Sequence, residues 1–491
     1  MHVLDMIFFW ANAKPNHPAI IQSGMIMTYR ALAESIVSVS RHIVQSELDS
    51  AEPVAVSIED PVRQLSVTLA LVHSGFTAAP VNEALLPQLG AAGINTLISA
   101  SRDEILLGGK NIQFSEGWLS SGSKVSLLGN QVPGKPHNRG NLIFFTSGTT
   151  GVPKKFIQTK EAFHERLSFL NLTGEGNYSR TLIVPGLPSS YGSNCAWGVL
   201  SAGKTVCFSA FGEPMLILIG IYHIEQIIAS PQQALALAEL VERNAGYQFD
   251  SLKLIRIGGG LISSGLVKRI QSKLCRNVLI YYGSTEAQVT ALGKFEMLEN
   301  SPGAVGFLAP GVELEIIDDG GNVLPADVEG FVRCRSPMFM KSISVNYPEL
   351  QNDIDDIWFY PGDRGSLNQA GVLCIAGRGG DTINRGGVKI SAPAMEEILL
   401  SCEGVKDAGV CGVRNSMGID EVWIAIVADT NFDMLLFRRK LADSDKSFRL
   451  FDNSVDEIFS VDLIPRNELG KIKRHELREL LLNLKKQPRL Q

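Results

Sequence analysis

Paired cysteines are missing from this chain. Its seven, Cys195, Cys207, Cys275, Cys334, Cys374, Cys402 and Cys411, are scattered and never form a C-x-x-C pair. That excludes a disulfide framework and a zinc site. They read as small buried apolar side chains in a reducing compartment, and a cytoplasmic location is expected. Long apolar runs are missing too. The longest, from Met215 to Ile224, is about half the roughly 20 residues that span a bilayer; it reads as a buried strand or a core helix. The first residues carry an apolar patch without a basic leader and with Asp5 inside it, a poor secretion signal. The sequons at Asn171 and Asn177 therefore carry little weight. Charge of one sign is not in excess: 45 Lys+Arg oppose 51 Asp+Glu, leaving −6, where a nucleic-acid binder would be basic. No G-x-S-x-G elbow, H-E-x-x-H pair or Cys/His cluster is present. What remains is 491 residues, 45% hydrophobic and 20% charged, enough for a large core and two or more domains.

Short apolar runs alternate with helical stretches. PVAVSIED is followed by VRQLSVTLALVHSG and FTAAPVN, and the theme returns in TLIVPG, KTVCFSA, EQIIAS, LKLIRIGG and NVLIYYGS, with PQQALALAELVERNA between two of them. Such alternation predicts an α/β fold with much parallel sheet, whose ligands bind at the carboxyl ends of strands. After Gly303 the texture turns to hairpins, in GVELEIIDDGGNVLPADVEGFVRCRS. Residues 377–387 hold five glycines and read as a mobile connector rather than an element interior. Beyond it we expect a small α+β domain: a helix from Pro393 to Leu400, strands DAGVCGV and EVWIAIVAD, and a basic final helix. The predicted division is 1–380 and 381–491.

The strongest local signal is NLIFFTSGTTGVPKK. A buried strand runs into Thr146, Ser147, Gly148, Thr149, Thr150 and Gly151, with Lys154 following. Hydroxyls, glycine N–H groups and a cation in a turn after a strand make a concave anion site, although the Walker A spacing fails. YYGSTEA (281–287), PGAVGFLAPGVELEIID (302–318), YPGDRG with GVLCIAGRGGD (360–381), NRGGVKISAPAMEEIL (384–399) and IPRNELGKIKRHEL (464–477) follow in order.

Together these stretches resemble the adenylate-forming superfamily of acyl- and aryl-CoA synthetases, carrier-protein adenylation domains and luciferases, over nearly the whole chain. The resemblance implies a carboxylate attacking the α-phosphorus of ATP, with Mg²⁺ and lysines offsetting the converging negative charge. It assigns the β- and γ-phosphates to Thr146 through Gly151 with Lys154, adenine stacking to Tyr282 beside Gly283, the α-phosphate to Thr285 and Mg²⁺ to Glu286. Gly259 and Gly260 would line adenine and the acyl group. Asp363 would accept from the ribose hydroxyls with Arg378 in support. Lys471 would bridge the attacking carboxylate and the α-phosphate. A small C-terminal domain would then rotate about Asp381, bringing Gly386, Gly387 and Lys389 to form a pantetheine tunnel.

Departures from that pattern bear on the reading. Pro361 stands where the family usually has Thr, and Lys155 where it usually has Gly. Tyr191, in VPGLPSSYGSN, is the candidate acyl-pocket gate. No acid that would clamp an α-amino group is evident in SSYGSNCAWG. The acidic run Asp353, Asp355, Asp356 reads as a solvated turn. The expected activity is an acid–thiol ligase using ATP, Mg²⁺ and coenzyme A on a small carboxylic acid, with neither nucleic acid nor a membrane span. A stand-alone enzyme loading a carrier-protein phosphopantetheine is the alternative; an adenylate-binding scaffold without catalysis, supported by Pro361 and Lys155, is the reading from another class.

Overall fold

The computed structural model describes residues 3–486 except 102–105, 107, 120–138, 147–153, 173–176, 245, 248, 261, 300, 302, 319, 340–357, 379–381, 386–387, 401, 403, 416–419, 430–431, 434–436, 438–454 and 468–469. The alternating pattern resolves as two large sheets. In the first, the strand Val54–Ser57 pairs in parallel with Ala78–Val81 and Thr96–Ser99. That six-stranded sheet ends in the antiparallel hairpin Leu142–Thr146 and Lys154–Gln158, with Thr146 opposite Lys154. The helix Pro61–His73 crosses between two of its strands. Asp60 starts that helix by accepting the Arg63 N–H at 2.9 Å, with Pro61 at its first position, where a missing donor costs nothing.

The second sheet has thirteen strands among the described residues. Its centre is parallel: Thr205–Phe208, Arg180–Ile183, Gln226–Ala229, Leu254–Gly258 and Val278–Ser284 lie side by side in that order. From Val278–Ser284 outward it is antiparallel, through Gln288–Lys294, Ala304–Leu308, Val372–Arg378, Asp363–Leu367, Gly330–Arg335 and Glu313–Ile317. The last two are the hairpin expected after Gly303. The parallel strands are apolar on both faces because helices cover both. One core joins the helices Val3–Ala13, Tyr29–Gln45, Pro61–His73 and Ser190–Ser201 around buried Trp197 and Tyr29. The other lies under Pro231–Arg243 and Ser264–Lys273. The run from Met215 is a helix, Glu213–Ile221. Met215, Leu216, Leu218 and Ile219 are buried while Ile217 and Ile221 face out, so it lies on the sheet. Among the described residues no helix is long and apolar enough to cross a membrane.

The C-terminal part is smaller and β-rich. Val405–Arg414, Asp420–Ala428 and Glu457–Ser460 form a sheet, packed on one face by Ala392–Leu400 and on the other by Arg474–Lys486. One expectation is corrected. The glycine-rich stretch 377–387 is not all connector, because Thr382–Arg385 is a strand paired with Val388–Ser391. Ile383 faces the core there with 3% exposure, and glycine content alone does not reveal such an apolar anchor.

Candidate active site

The site forms where the parallel strands end. At the carboxyl end of Val278–Ser284 the chain reverses through Thr285, Glu286 and Ala287 into Gln288–Lys294, with Ser284 opposite Gln288. Gly283 is dictated by this reversal: a Cβ there would stand 1.8 Å from the Gln288 carbonyl oxygen. Ser284 Oγ accepts the Ala287 N–H at 3.0 Å, so the turn presenting Thr285 and Glu286 is braced internally. Beside it, the Tyr282 hydroxyl donates to Asp363 Oδ2 at 2.5 Å. Asp363 is 8% exposed and sits opposite Arg378 in the antiparallel ladder.

Cys334, 1% exposed, feels the charge of both carboxylates. Burial above all, with the charges of Asp363 and Glu286 acting in the same direction, pushes its thiol up to about 12. All seven cysteines are reduced. At pH 8 a thiol with such a pKa is thiolate at the level of about 10⁻⁴, and the thiolate is the reacting form. Brief iodoacetamide treatment of the native protein at pH 8 should therefore leave Cys334 unmodified by mass spectrometry, with half-exposed Cys402 labelled first. Equal labelling of the two would show that Cys334 is open to reagent.

One strand over, Leu254–Gly258 ends at Gly259, whose φ of +87° is left-handed and which has open space where a side chain would start. Tyr191 lies in the first turn of the helix Ser190–Ser201, capped by Ser189. Its ring lies 3.2 Å from where a Gly258 Cβ would stand, so any side chain there would crowd the tyrosine. Beneath it the guanidinium of Arg256 is fully buried, 5.4 Å from the Tyr191 ring and 4.7 Å from the Tyr281 ring, and in contact with the Cys195 thiol. Stacked aromatic faces are a favourable surrounding for a desolvated cation.

Lys471 arrives from the C-terminal part in a tight turn. Its N–H donates to Asn467 Oδ1 and its carbonyl accepts from the Asn467 N–H, both at 2.8 Å. Arg466 holds the turn by donating to the Gly470 carbonyl while forking onto Asp407 at 3.1 and 2.5 Å. Gly470, at φ +78°, packs so closely that a Cβ would lie 2.4 Å from the Gln232 Cβ. Gln232 is in the first turn of Pro231–Arg243, the helix that follows the strand Gln226–Ala229. A Cβ on Gly260 would stand 3.4 Å from Pro231 in the same turn. The Lys471 turn and Gly260 thus flank one helix start, and Ser230 and Gln233 fix that start with a reciprocal capping box.

Thr285, Glu286, Tyr282, Gly283, Asp363, Tyr191, Gly259, Gly260 and Lys471 are all within the described structure. Ser147, Gly148, Thr149, Thr150, Gly151, Asp381, Gly386, Gly387 and the acidic run 353–356 lie outside the described residues, as do the side chains of Thr146, Lys154, Arg378 and Lys389. The unusual Lys155 donates to the Ala92 carbonyl at 3.1 Å, anchoring the hairpin to a loop of its own sheet. Arg256, Gln232, Gln158, Asn194 and Gln288 escaped the sequence reading. Only Arg256 left a signal there, a lone cation inside the apolar run LKLIRIGG.

A turn bearing a hydroxyl and a carboxylate, a buried acid tied to a tyrosine, and a lysine brought in by a second unit are groups that suit a nucleotide-using transferase or ligase. The AMP-binding enzyme family matches residues 7–343. The chain is 30% identical over 342 residues to a 2-succinylbenzoate–CoA ligase of Bacillus licheniformis, covering 68% of this chain and 69% of the relative. It is 24% identical to a 4-chlorobenzoate–CoA ligase of an Arthrobacter species, over 97% and 95% of the two chains. The fold matches an O-succinylbenzoate–CoA synthetase of Bacillus subtilis solved with ATP and magnesium, with TM-score 0.82 at 21% identity, covering 96% of this chain and 99% of that one. It also matches an amide bond synthetase of Marinactinospora thermotolerans, with TM-score 0.79 at 20% identity over 98% and 99%. The chain belongs to the AMP-binding enzyme family, the adenylate-forming superfamily. It is an AMP-forming ligase that carries out ATP-dependent acyl-adenylate chemistry.

Proposed function

We propose that the enzyme is an acid–thiol ligase that transfers the acyl group of its acyl-adenylate to the thiol of coenzyme A, releasing AMP, with a ring-bearing carboxylic acid as the substrate class. The observation carrying this reading is the docking of the Lys471 turn on Gln232, beside Gly260 and two residues along from the Gly258 that Tyr191 packs against. A cation there meets a carboxylate held near the α-phosphate. Relatives named as ligases of 2-succinylbenzoate, indoleacetate and 4-chlorobenzoate with CoA support both the thiol and the ring. The half-buried ring of Tyr191, packed on Arg256, offers an aromatic acid a stacking partner.

In this reading Lys471 offsets charge as the carboxylate oxygen bonds the α-phosphorus and pyrophosphate departs. Thr285 donates to the α-phosphate, and Asp363, already accepting from Tyr282, accepts from the ribose. The loop Thr146 to Gly151 with Lys154 holds the outer phosphates, while Tyr282 and Gly259 flank adenine and Gly283 allows the turn. Arg378 supports Asp363 across the ladder. Glu286 suits a hard divalent cation, being a half-buried carboxylate close enough to Asp363 for both to act on one thiol. Mg²⁺ bound there would neutralise phosphate charge. The C-terminal unit, residues 381–491, turns about Asp381 to bring Gly386, Gly387 and Lys389 to the thiol.

ATP–pyrophosphate exchange across a panel of aryl and aliphatic acids, followed by thiol transfer with free coenzyme A and with a pantetheinylated carrier protein, tests this. Fastest exchange with an aryl acid and product with free coenzyme A are expected. Turnover only with the carrier, or only with an amine, would replace the acceptor. Glu286→Gln keeps the shape and removes the charge that a hard cation prefers. It should slow exchange at least about tenfold, a barrier change of about 1.4 kcal/mol, and raise the Mg²⁺ concentration for half-maximal rate. Unchanged Mg²⁺ dependence would place the metal ligand elsewhere.

A further inference from the structure

The hairpin that presents Thr285 and Glu286 ends on an unusual residue. A left-handed position at a tight hairpin turn is normally filled by glycine, and the one here is Gln288 at φ +58°, the residue paired with Ser284 just past the turn. A side chain at such a φ is strained. What the chain gains is a buried amide. Gln288 Nε2 donates to the Thr285 carbonyl at 2.7 Å and to Ser190 Oγ at 3.4 Å, while its Oε1 accepts from Asn194 Nδ2 at 3.2 Å. Asn194 Nδ2 also donates to Ser190 Oγ at 3.0 Å, and Asn194 Oδ1 accepts from Gln158 Nε2 at 2.7 Å. Gln158, Asn194, Ser190 and Gln288 are 3%, 2%, 9% and 8% exposed.

These four residues come from three elements with separate duties. Gln158 closes the strand that follows the phosphate-loop signature, Ser190 and Asn194 sit on the helix that carries Tyr191 in its first turn, and Gln288 bonds the backbone between Ser284 and Glu286. Water does not compete for these bonds, so each holds its geometry better than a surface bond. We propose that Gln288 is a positioning residue for adenylation. Its amide holds the Thr285–Glu286 turn in register and, through Asn194, ties that turn to the Tyr191 helix and to the strand of Gln158. The proposal rests on the adenylating reading of Thr285 and Glu286 given above.

Gln288→Gly separates backbone from side chain, because glycine accepts the left-handed φ and deletes the amide. Relief of the φ strain offsets part of the cost of leaving Asn194 and Ser190 short of a buried partner. The variant should therefore fold and melt within a few degrees of wild type, while its turnover in ATP–pyrophosphate exchange should fall about tenfold or more. Its half-saturating Mg²⁺ should rise, its KM for the acid should stay unchanged, and thioester formation from synthetic acyl-AMP should be spared. Gln288→Glu, which puts an acceptor against the Thr285 carbonyl, should lose at least as much. Asn194→Ala should weaken exchange in the same way, and the double variant should be less than additive. A glycine variant with wild-type turnover and Mg²⁺ demand would overturn the proposal, as would equal loss in both half-reactions. Wild-type protein giving no exchange with any acid would sink the reading beneath it; normal wild-type exchange with unaffected variants would sink this proposal alone.

Discussion

Lys471→Ala is expected to lower acyl-adenylate formation by about 10²–10³-fold, the typical cost of removing one well-placed charge-stabilising group, while largely sparing thioester formation from synthetic acyl-AMP. The turn around Lys471 is built by backbone and by Arg466, Asp407 and Asn467, and none of those bonds needs the lysine side chain. Truncation should therefore leave the melting temperature nearly unchanged, as for side chains outside a core. Lys471→Arg tests geometry. A planar guanidinium is wider than an ammonium and places its charge differently, so it should recover only part of the rate. Pyrophosphate release with acid and ATP, set against acyl transfer from purified adenylate, reads the two steps. Equal losses in both would assign Lys471 to the fold or to the acceptor step.

The fold was legible where chemistry is periodic. Apolar runs closing on Gly, Pro or Ser became the parallel strands ending at Ala229, Gly258 and Ser284, and Asp-Gly and Gly-Asn turns became the hairpin Glu313–Ile317 with Gly330–Arg335. Individual glycines were legible as needs but not as reasons. Gly283 admits a carbonyl and Gly258 admits the Tyr191 ring, contacts that only tertiary packing creates. The amides of Gln158, Asn194 and Gln288 gave no local signal. Their partners lie 36 and 94 residues apart in sequence, and polar residues inside helices and strands ordinarily read as solvent-facing. Gln288 also breaks the rule that glycine fills a left-handed turn position. Local rules fail at sites where function is assembled, and this exception sits two residues from Glu286. Pro361 kept its place in YPGDRG, and Gly362 beside it adopts φ +78°, so the turn into Asp363 is made by glycine whatever precedes it.

Gly470→Ala should reproduce most of the Lys471 defect with the lysine still in place. Two costs act on it. Alanine at φ +78° is strained by roughly 1–2 kcal/mol, and its Cβ would meet the Gln232 Cβ at 2.4 Å and the Gln232 Oε1 at 2.4 Å. Carbon atoms rest at about 3.5–4.0 Å, so the turn must withdraw from the helix start by on the order of an ångström. A displacement of that size can cost about 10² in rate, because the ammonium no longer reaches the charge it offsets. Adenylation should fall by that order. Acyl transfer from synthetic acyl-AMP should persist, because in the proposed cycle the turn has already left Gln232 when the thiol arrives. Lys471→Ala added to Gly470→Ala should cost little more, because the two act as one unit. Gln232→Gly removes the clashing atoms at about 1 kcal/mol of helix propensity; it should restore part of the rate, leaving the share due to φ. Wild-type adenylation by Gly470→Ala would show that Lys471 works from some other position than the one docked on Gln232, and the assignment of this turn to the first half-reaction would fall with it.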